Sequence, residues 1–256
     1  DPLMWFCVMR ARLIIGNSDH VRARLPFSLL ATSKLRIHTA IGVERNAMLG
    51  AHGADERGFH VVSTGNLIPI KQFHLTVRAF ARLAEKLPGA CLSIVGTGPE
   101  KAKLVELAET LGIGGKVAFL GWLPRADALA VLASADVFLF PSTEAAGMVV
   151  LEAQANGVPV VALRGTGPGE MITGDSGIAV APGSVDATVD RLGRALMTLA
   201  GDPELRRRMG TAARRLIEEH YVWEERHRAI RVWYRAAGVL KGVVRPSSAL
   251  PDNCVP

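Results

Sequence analysis

From His60 to Val180 the chain alternates between short apolar runs and longer amphipathic ones, and this alternation constrains the fold more than any other feature. The runs "FHVVSTG", "ACLSIVGTG", "KVAFLGW", "DVFLFPS", "VPVVALRG" and "GIAVAP" read as strands. Between and after them, "QFHLTVRAFARLAEKL", "PEKAKLVELAETLG", "RADALAVLASA", "GMVVLEAQANG" and "VDATVDRLGRALMTLA" read as helices, with a short helix near "PGEMIT". Strands that are apolar throughout are covered on both faces, and strands that alternate with helices are parallel. The crossovers are right-handed. The expected fold class is α/β, a Rossmann-like doubly wound parallel sheet occupying about residues 57–220. Aromatic residues make up only 5% of the chain, so its core is built mainly from Ala, Val, Leu and Ile.

The flanks are less regular. "RLIIGNS" reads as a short strand followed by a helix-capping Ser18, "DHVRARL" as one or two helical turns, and "KLRIHTAIGVE" as a second strand. Residues 1–56 are too few for a closed sheet and read as the remnant of a preceding domain. Beyond the sheet, "DPELRRRMGTAARRLIEEH" has Asp202 as a cap and Pro203 at the first helical position. Residues 221–238 form a further helix, expected to cross back over that preceding domain. Its apolar face (Val222, Trp223, Ile230, Trp233) is then expected to be partly exposed and open to self-association. Residues 239–256 are rich in turn formers and read as a loose tail.

The net charge is +6, and much of the excess lies in Arg206, Arg207, Arg208, Arg214, Arg215, Arg226, Arg228, Arg231 and Arg235. A solvated helix face accounts for these; the functional alternative is attraction to anionic lipid at the inner face of a membrane. No nucleic-acid module is recognisable, so nucleic acid is not an expected partner. Cys7, Cys91 and Cys254 are far apart and form no metal-ligand spacing. They read as reduced thiols of a cytoplasmic protein. No run suggests a signal peptide or a membrane span.

In an open parallel sheet, ligands bind outside the carboxyl ends of the strands. That rule selects five loops: "GNLIPIK" with Gly65, Asn66 and Lys71; "GTGPE" with Gly96 and Gly98; "GWLP" with Gly121, Trp122 and Leu123; "PSTEAAG" from Pro141 to Gly147; and "RGTGPG". Glycines there let backbone approach a ligand, although glycine also punctuates any strand-to-helix turn. "GTGPEK" is not a dinucleotide fingerprint, because Lys101 stands where the third glycine belongs. Lys71 falls near a helix start, where an ammonium can neutralise a phosphate; the bland reading is a solvated lysine. Glu144 and Glu152 lie eight positions apart, the first in a loop and the second about one turn into a helix. Carboxylates there can accept from sugar hydroxyls along one wall of a crevice. Glu152 sits among Leu151, Ala153 and Ala155, so it is either buried with a partner or bound to a ligand rather than a solvated helix acid.

The ordered set "GNLIPIK…AFARL…LSIVGTGPE…VAFLGWLP…ASADVFLFPSTEAAGMVVLEAQANGVPVVALRGTGPGEMI…GIAV" closely resembles the C-terminal half of retaining glycosyltransferases of the GT4 type (glycosyl transferases group 1, GT-B fold), from about residue 57 to 235. "IIGNSDHVRARL" and "IHTAIGVE" resemble the last part of such enzymes' N-terminal acceptor domain. The most specific motif is E-x7-E, matched by Glu144 and Glu152. The resemblance implies a nucleoside-diphosphate sugar as donor substrate, no cofactor, and no metal. It places Lys71 on the donor diphosphate and Glu152 on the ribose hydroxyls. Glu144 and the backbone of Ala145, Ala146, Gly147 and Met148 would hold the donor sugar and phosphates, with Glu144 at the reacting centre. Gly121, Trp122 and Leu123 would lie beside the base. Gly65, Asn66, Gly96, Gly98 and Val149 complete the implied donor-binding set.

The chain departs from the family pattern at four places. Asn66 stands where Arg is frequent, Gln72 replaces a glycine, Ala145 and Ala146 replace Gly-Phe, and the loop from Pro141 to Glu144 is one residue shorter. The implied reaction is sugar transfer to an acceptor hydroxyl with retention, in polysaccharide, glycolipid or glycoconjugate synthesis. The acceptor, glycan or lipid-linked, is not legible. Glu144→Gln is expected to act on transfer rather than on binding of the free nucleotide. The alternatives are a truncated, non-catalytic nucleotide-sugar-binding module, and a sugar-nucleotide epimerase of the same fold, which E-x7-E fits less well. The short N-terminal segment leads to the expectation that this chain alone transfers poorly.

Overall fold

The structure, a computed structural model, describes residues 2–16, 35–37, 42–43 and 58–238. The readings of Ser18, of "DHVRARL", of most of "IHTAIGVE", of Cys254 and of residues 239–256 lie outside the described residues.

Six parallel strands form the expected sheet: β3 (His60–Thr64), β4 (Cys91–Val95), β5 (Val117–Gly121), β6 (Val137–Phe140), β7 (Val160–Leu163) and β8 (Gly177–Val180). Their spatial order is β5-β4-β3-β6-β7-β8. The chain thus moves outward in one direction from β3 and then in the other from β6. The switch point lies between β3 and β6, where neighbouring crossovers depart on opposite faces and leave a crevice at the carboxyl ends. Between the strands run α2 (Phe73–Lys86), α3 (Lys101–Thr110), α4 (Arg125–Ala133), α5 (Met148–Ala155) and α6 (Gly167–Glu170). After β8 come α7 (Val185–Gly201), α8 (Pro203–His220) and α9 (Trp223–Ala236). The predicted cap is present: Asp202 Oδ1 accepts from Leu205 N at 2.8 Å, with Pro203 opening α8.

Period-two alternation divides the central strands between two cores. Val61, Val137, Leu139, Val161 and Leu163 face α2, α3 and α7, packing with Phe73, Phe80, Leu104 and Leu192. Val62, Phe138, Phe140, Val160 and Ala162 face the other way, onto Val150 and Leu151 of α5 and Ile217 of α8. Burial on both faces explains why β6 and β7 read as unbroken apolar runs.

The opening run "PLMWFCVMR" is a helix, α1 (Pro2–Arg10), that the sequence reading leaves out; Leu3, Phe6 and Met9 on it are exposed. β1 (Ile14–Gly16) and β2 (Leu35–Ile37) pair in parallel as a separate ribbon. The expected apolar face of residues 221–238 requires one correction. Val222 is fully buried, because its backbone bridges Val43 in parallel and its side chain joins the α5 core. Trp223, Ile230 and Trp233 are half-buried. Several arginines that carry the positive excess are ion-paired within the helices or to the sheet: Arg207 with Glu204, Arg215 with Glu219, Arg228 with Glu225, and Arg206 with Asp136. This pairing favours the solvated-face reading. Among the described residues no helix is long and apolar enough to cross a membrane.

Candidate functional site

Backbone hydrogen bonds lock the loops at the carboxyl ends of β3, β4 and β5 together. Gly65 N donates to Val95 O at 2.9 Å, Leu67 N to Thr97 O at 2.9 Å, and Gly96 N to Gly121 O at 2.7 Å. Loop-on-loop packing of this kind requires glycine at Gly96 and Gly98. A Cβ on Gly96 would lie 2.0 Å from Gly65 O, and one on Gly98 would lie 2.4 Å from Leu67 O. Gly167 and Gly169 in the "RGTGPG" loop behave alike, with Cβ positions 2.1 Å from the Ala145 backbone and 2.0 Å from Leu163 O.

Across the switch point the loops after β3 and β6 are fastened by Ile70. Its carbonyl accepts from Thr143 N at 3.1 Å and from Ser142 Oγ at 3.3 Å. This brings Lys71 to Glu144, and Lys71 Nζ donates to Glu144 Oε2 at 2.5 Å. The side chains are 16% and 20% exposed, so the pair is partly desolvated yet reachable from the crevice. The ammonium also lies 5.0 Å from the centre of the Phe140 ring, a cation–π contact. Glu144 is held by its own backbone: its N–H donates to Ser142 Oγ at 3.3 Å, and its carbonyl accepts from Gly167 N at 3.0 Å. Gln72, next to Lys71, is the one non-glycine residue with positive φ among the described residues (φ 51°, ψ 40°). A left-handed conformation at that point explains why glycine is frequent there in the resembled family. In the first turn of α2, burial pushes the His74 imidazole below its ordinary value, Glu100 opposing and Arg78 adding to the shift. His74 is therefore neutral near pH 7 and brings no positive charge.

Glu152 is buried in α5, 8% exposed. Arg125, the first residue of α4, reaches it with Nη1 2.7 Å from Oε1, although the guanidinium side chain is itself 68% exposed. The approach lacks hydrogen-bond alignment, and Glu152 Oε1 has no hydrogen-bond partner. A cavity of about 300 Å³ opens beside it, lined by Thr64, Trp122, Leu123, Arg125, Ala128, Leu129, Leu132, Val149 and Glu152. Thr64 Oγ1 is likewise buried and unpartnered. Thr64 and Glu152 thus line one cavity, and an exposed indole, Trp122 (74% exposed), stands on its rim. A larger space of about 370 Å³, lined by Arg78, Arg82, Lys116 and Asp186 among others, adjoins the start of β5, away from the carboxyl ends.

The structure thus gathers Trp122, Leu123, Val149 and Glu152 around one cavity, and Lys71 and Glu144 into one ion pair at the switch point. Gly65, Asn66, Gly96, Gly98 and Gly121 lie in the loops that frame them. Ala145 packs its backbone on Gly167, Ala146 is half-buried, Gly147 caps α5, and Met148 opens it at 36% exposure. No side chain caps that helix start, and no acidic residue lies in its first turn. Arg125 and Thr64 escape the sequence reading; the one available signal is that Arg125 directly follows the "GWLP" loop.

A family model described as glycosyl transferases group 1 matches residues 44–216, more than half of the chain. Among curated relatives, the lipopolysaccharide core biosynthesis glycosyltransferase LpsE of Rhizobium meliloti is 38% identical over 151 residues, covering 58% of this chain and 42% of that protein. The GDP-mannose-dependent alpha-(1-6)-phosphatidylinositol monomannoside mannosyltransferase of Mycolicibacterium smegmatis is 35% identical over 175 residues, covering 65% and 45%. The chain therefore spans less than half the length of these relatives. Solved structures share the fold. Anabaena HepE in complex with UDP aligns with a TM-score of 0.77 at 21% identity over 91% of this chain and 66% of that one. Sucrose-phosphate synthase from Thermosynechococcus elongatus aligns with a TM-score of 0.73 at 24% identity over 91% and 60%.

Proposed function

The chain belongs to the group 1 glycosyl transferases, and from that premise we propose that it binds a nucleoside-diphosphate sugar and serves retaining transfer of the sugar to an acceptor hydroxyl. The observation that carries this reading is Glu152, a largely buried carboxylate beside a cavity at the carboxyl end of the sheet, whose ion-pair partner Arg125 is itself solvent-exposed. A largely buried carboxylate needs donors, and the hydroxyls of a ribose would supply them where the exposed Arg125 gives way. The base would enter beside Trp122 and Leu123, whose rim position offers an aromatic face. The diphosphate would reach Lys71 and the start of α5, where no side chain occupies the N–H groups and the helix dipole favours an anion. The UDP in complex with HepE, a protein of like fold, and the GDP-mannose dependence of the Mycolicibacterium relative are consistent with a donor of this class.

In the reaction, positive charge develops at the anomeric carbon while the leaving diphosphate gains negative charge. Lys71 and the α5 start would stabilise the leaving group without a metal. Glu144 would accept from the donor sugar's hydroxyls and orient it. The acceptor class proposed is a growing polysaccharide or glycolipid, reached at the inner face of a membrane. A second reading is nucleotide-sugar binding without turnover of its own. A transfer assay with the same donors separates the two.

The direct test is a calorimetric screen of UDP, GDP and ADP against the whole chain. At least one is expected to bind, and more tightly than its nucleoside monophosphate. Failure of all three to bind would overturn the reading.

A further inference from the structure

We propose that Glu144 is a built-in counter-ion that competes with the diphosphate for Lys71, so that the site holds a nucleotide still carrying its sugar in preference to the bare nucleoside diphosphate. The inference rests on the nucleoside-diphosphate reading above. It starts from a pairing that sequence spacing does not suggest: the Lys71 ammonium, brought to the switch point, is bonded to Glu144 at 2.5 Å.

A charge-assisted bond of this kind is roughly twice as strong as one between neutral groups, so an arriving anion must displace it. A diphosphate arriving at Lys71 offers oxygens of the same chemistry as the Glu144 carboxylate. It must take over the ammonium and then lie close to a carboxylate that has lost its counter-charge. The main chain that carries the carboxylate is held beside Lys71, because the Glu144 N–H donates to Ser142 Oγ and its carbonyl accepts from Gly167 N. A bare diphosphate at neutral pH is ionised and gives Glu144 nothing to accept. A sugar on the terminal phosphate changes this, since its hydroxyls are donors and supply the carboxylate with the partners it lost. Glu144 therefore disfavours the free diphosphate more than it disfavours the sugar nucleotide. That difference helps product leave once the sugar has gone. The pair's partial exposure keeps the exchange possible: a fully buried pair would resist it, and a fully solvated one would be screened and of little consequence.

This replaces the expectation that Glu144 leaves nucleoside-diphosphate binding unaltered. Removing its charge should tighten that binding. The test measures, by calorimetry, dissociation constants of UDP with UDP-glucose and GDP with GDP-mannose for the whole chain and four variants: Glu144→Gln, Glu144→Ala, Lys71→Ala and Lys71→Ala/Glu144→Ala. Alanine removes the charge without adding the amide donor that glutamine brings, and thermal unfolding checks that each variant is folded. In both single Glu144 variants the bare diphosphate should bind about two- to fivefold more tightly, the upper part of the range such ion pairs supply. The sugar nucleotide should gain less or lose affinity, and most of the gain should vanish in the Lys71→Ala background. Weakened binding in Lys71→Ala with no gain in either Glu144 variant would overturn the counter-ion and leave the nucleotide reading standing. Unchanged binding in Lys71→Ala would remove Lys71 from the site and the inference with it. Absence of binding by the wild type and by both Glu144 variants would overturn both.

Discussion

Replacing Lys71 with alanine is expected to weaken nucleoside-diphosphate binding by about tenfold or more, since a hydrogen bond to a charged group is worth roughly 1.5–3 kcal/mol. Two features place the effect at the upper end. Asn66 stands where the resembled family often has an arginine, so the loop after β3 brings no second cation to share the load. His74, in the first turn of α2, is held neutral near pH 7 by burial. In addition, truncating Lys71 does more than remove an attraction. It leaves the Glu144 carboxylate, otherwise bonded at 2.5 Å, without its counter-charge beside the phosphates. The loss should therefore be larger for the diphosphate than for the nucleoside monophosphate, which does not extend as far. Calorimetry with the two ligands reads this directly. An equal loss for both would mean that the lysine acts on the fold of the loop rather than on the second phosphate.

The second large effect is on stability. Gly96→Ala should destabilise the protein by about 2–6 kcal/mol, combining backbone strain with overpacking at one residue. Gly96 sits at φ +134°, and an added Cβ would lie 2.0 Å from the Gly65 carbonyl oxygen. That oxygen belongs to backbone, which cannot turn aside as a side chain does. Displacing it would break the stitching in which Gly65 N donates to Val95 O and Gly96 N donates to Gly121 O. Gly121 is the control: its φ is +72°, but nothing lies within 4 Å of its Cβ position. Gly121→Ala should cost only the left-handed penalty, about 1–2 kcal/mol. Urea unfolding of the two variants compares them. Equal losses would show that conformation, not collision, decides at Gly96.

The elements were legible because burial on both faces of a parallel sheet leaves unbroken apolar runs, and the helices between carry the 3.6-residue pattern. Phe73, Val77, Phe80 and Ala84 on α2 are an instance, all buried at that spacing. Glu152 was legible as a buried acid from its small apolar neighbours. What could not be read is whatever depends on which strands are neighbours. Lys71 and Glu144 are 73 positions apart, and they meet only because β3 and β6 adjoin at the switch point. Arg125 looks like any solvated arginine at a helix start until α4 is seen to lie beside α5. Gly96 and Gly98 follow a strand, and from sequence that suits ligand approach as well as loop-on-loop packing; the Gly65 and Leu67 carbonyls that demand the packing come into view only with the neighbouring strands. The α1 helix was missed because its apolar run is too short to carry a periodicity.

The claim that most depends on this geometry is that Glu152 receives a ribose. It is tested most directly by measuring, for the base that the screen selects, the affinity of the ribonucleoside diphosphate and of its 2′,3′-dideoxy analogue. Each is measured for the wild type and for Glu152→Gln. If the Glu152 carboxylate accepts from the ribose hydroxyls, the wild type should bind the dideoxy compound about tenfold more weakly, and this difference should largely disappear in Glu152→Gln. The same dideoxy penalty in both proteins would place the ribose elsewhere and contradict the account.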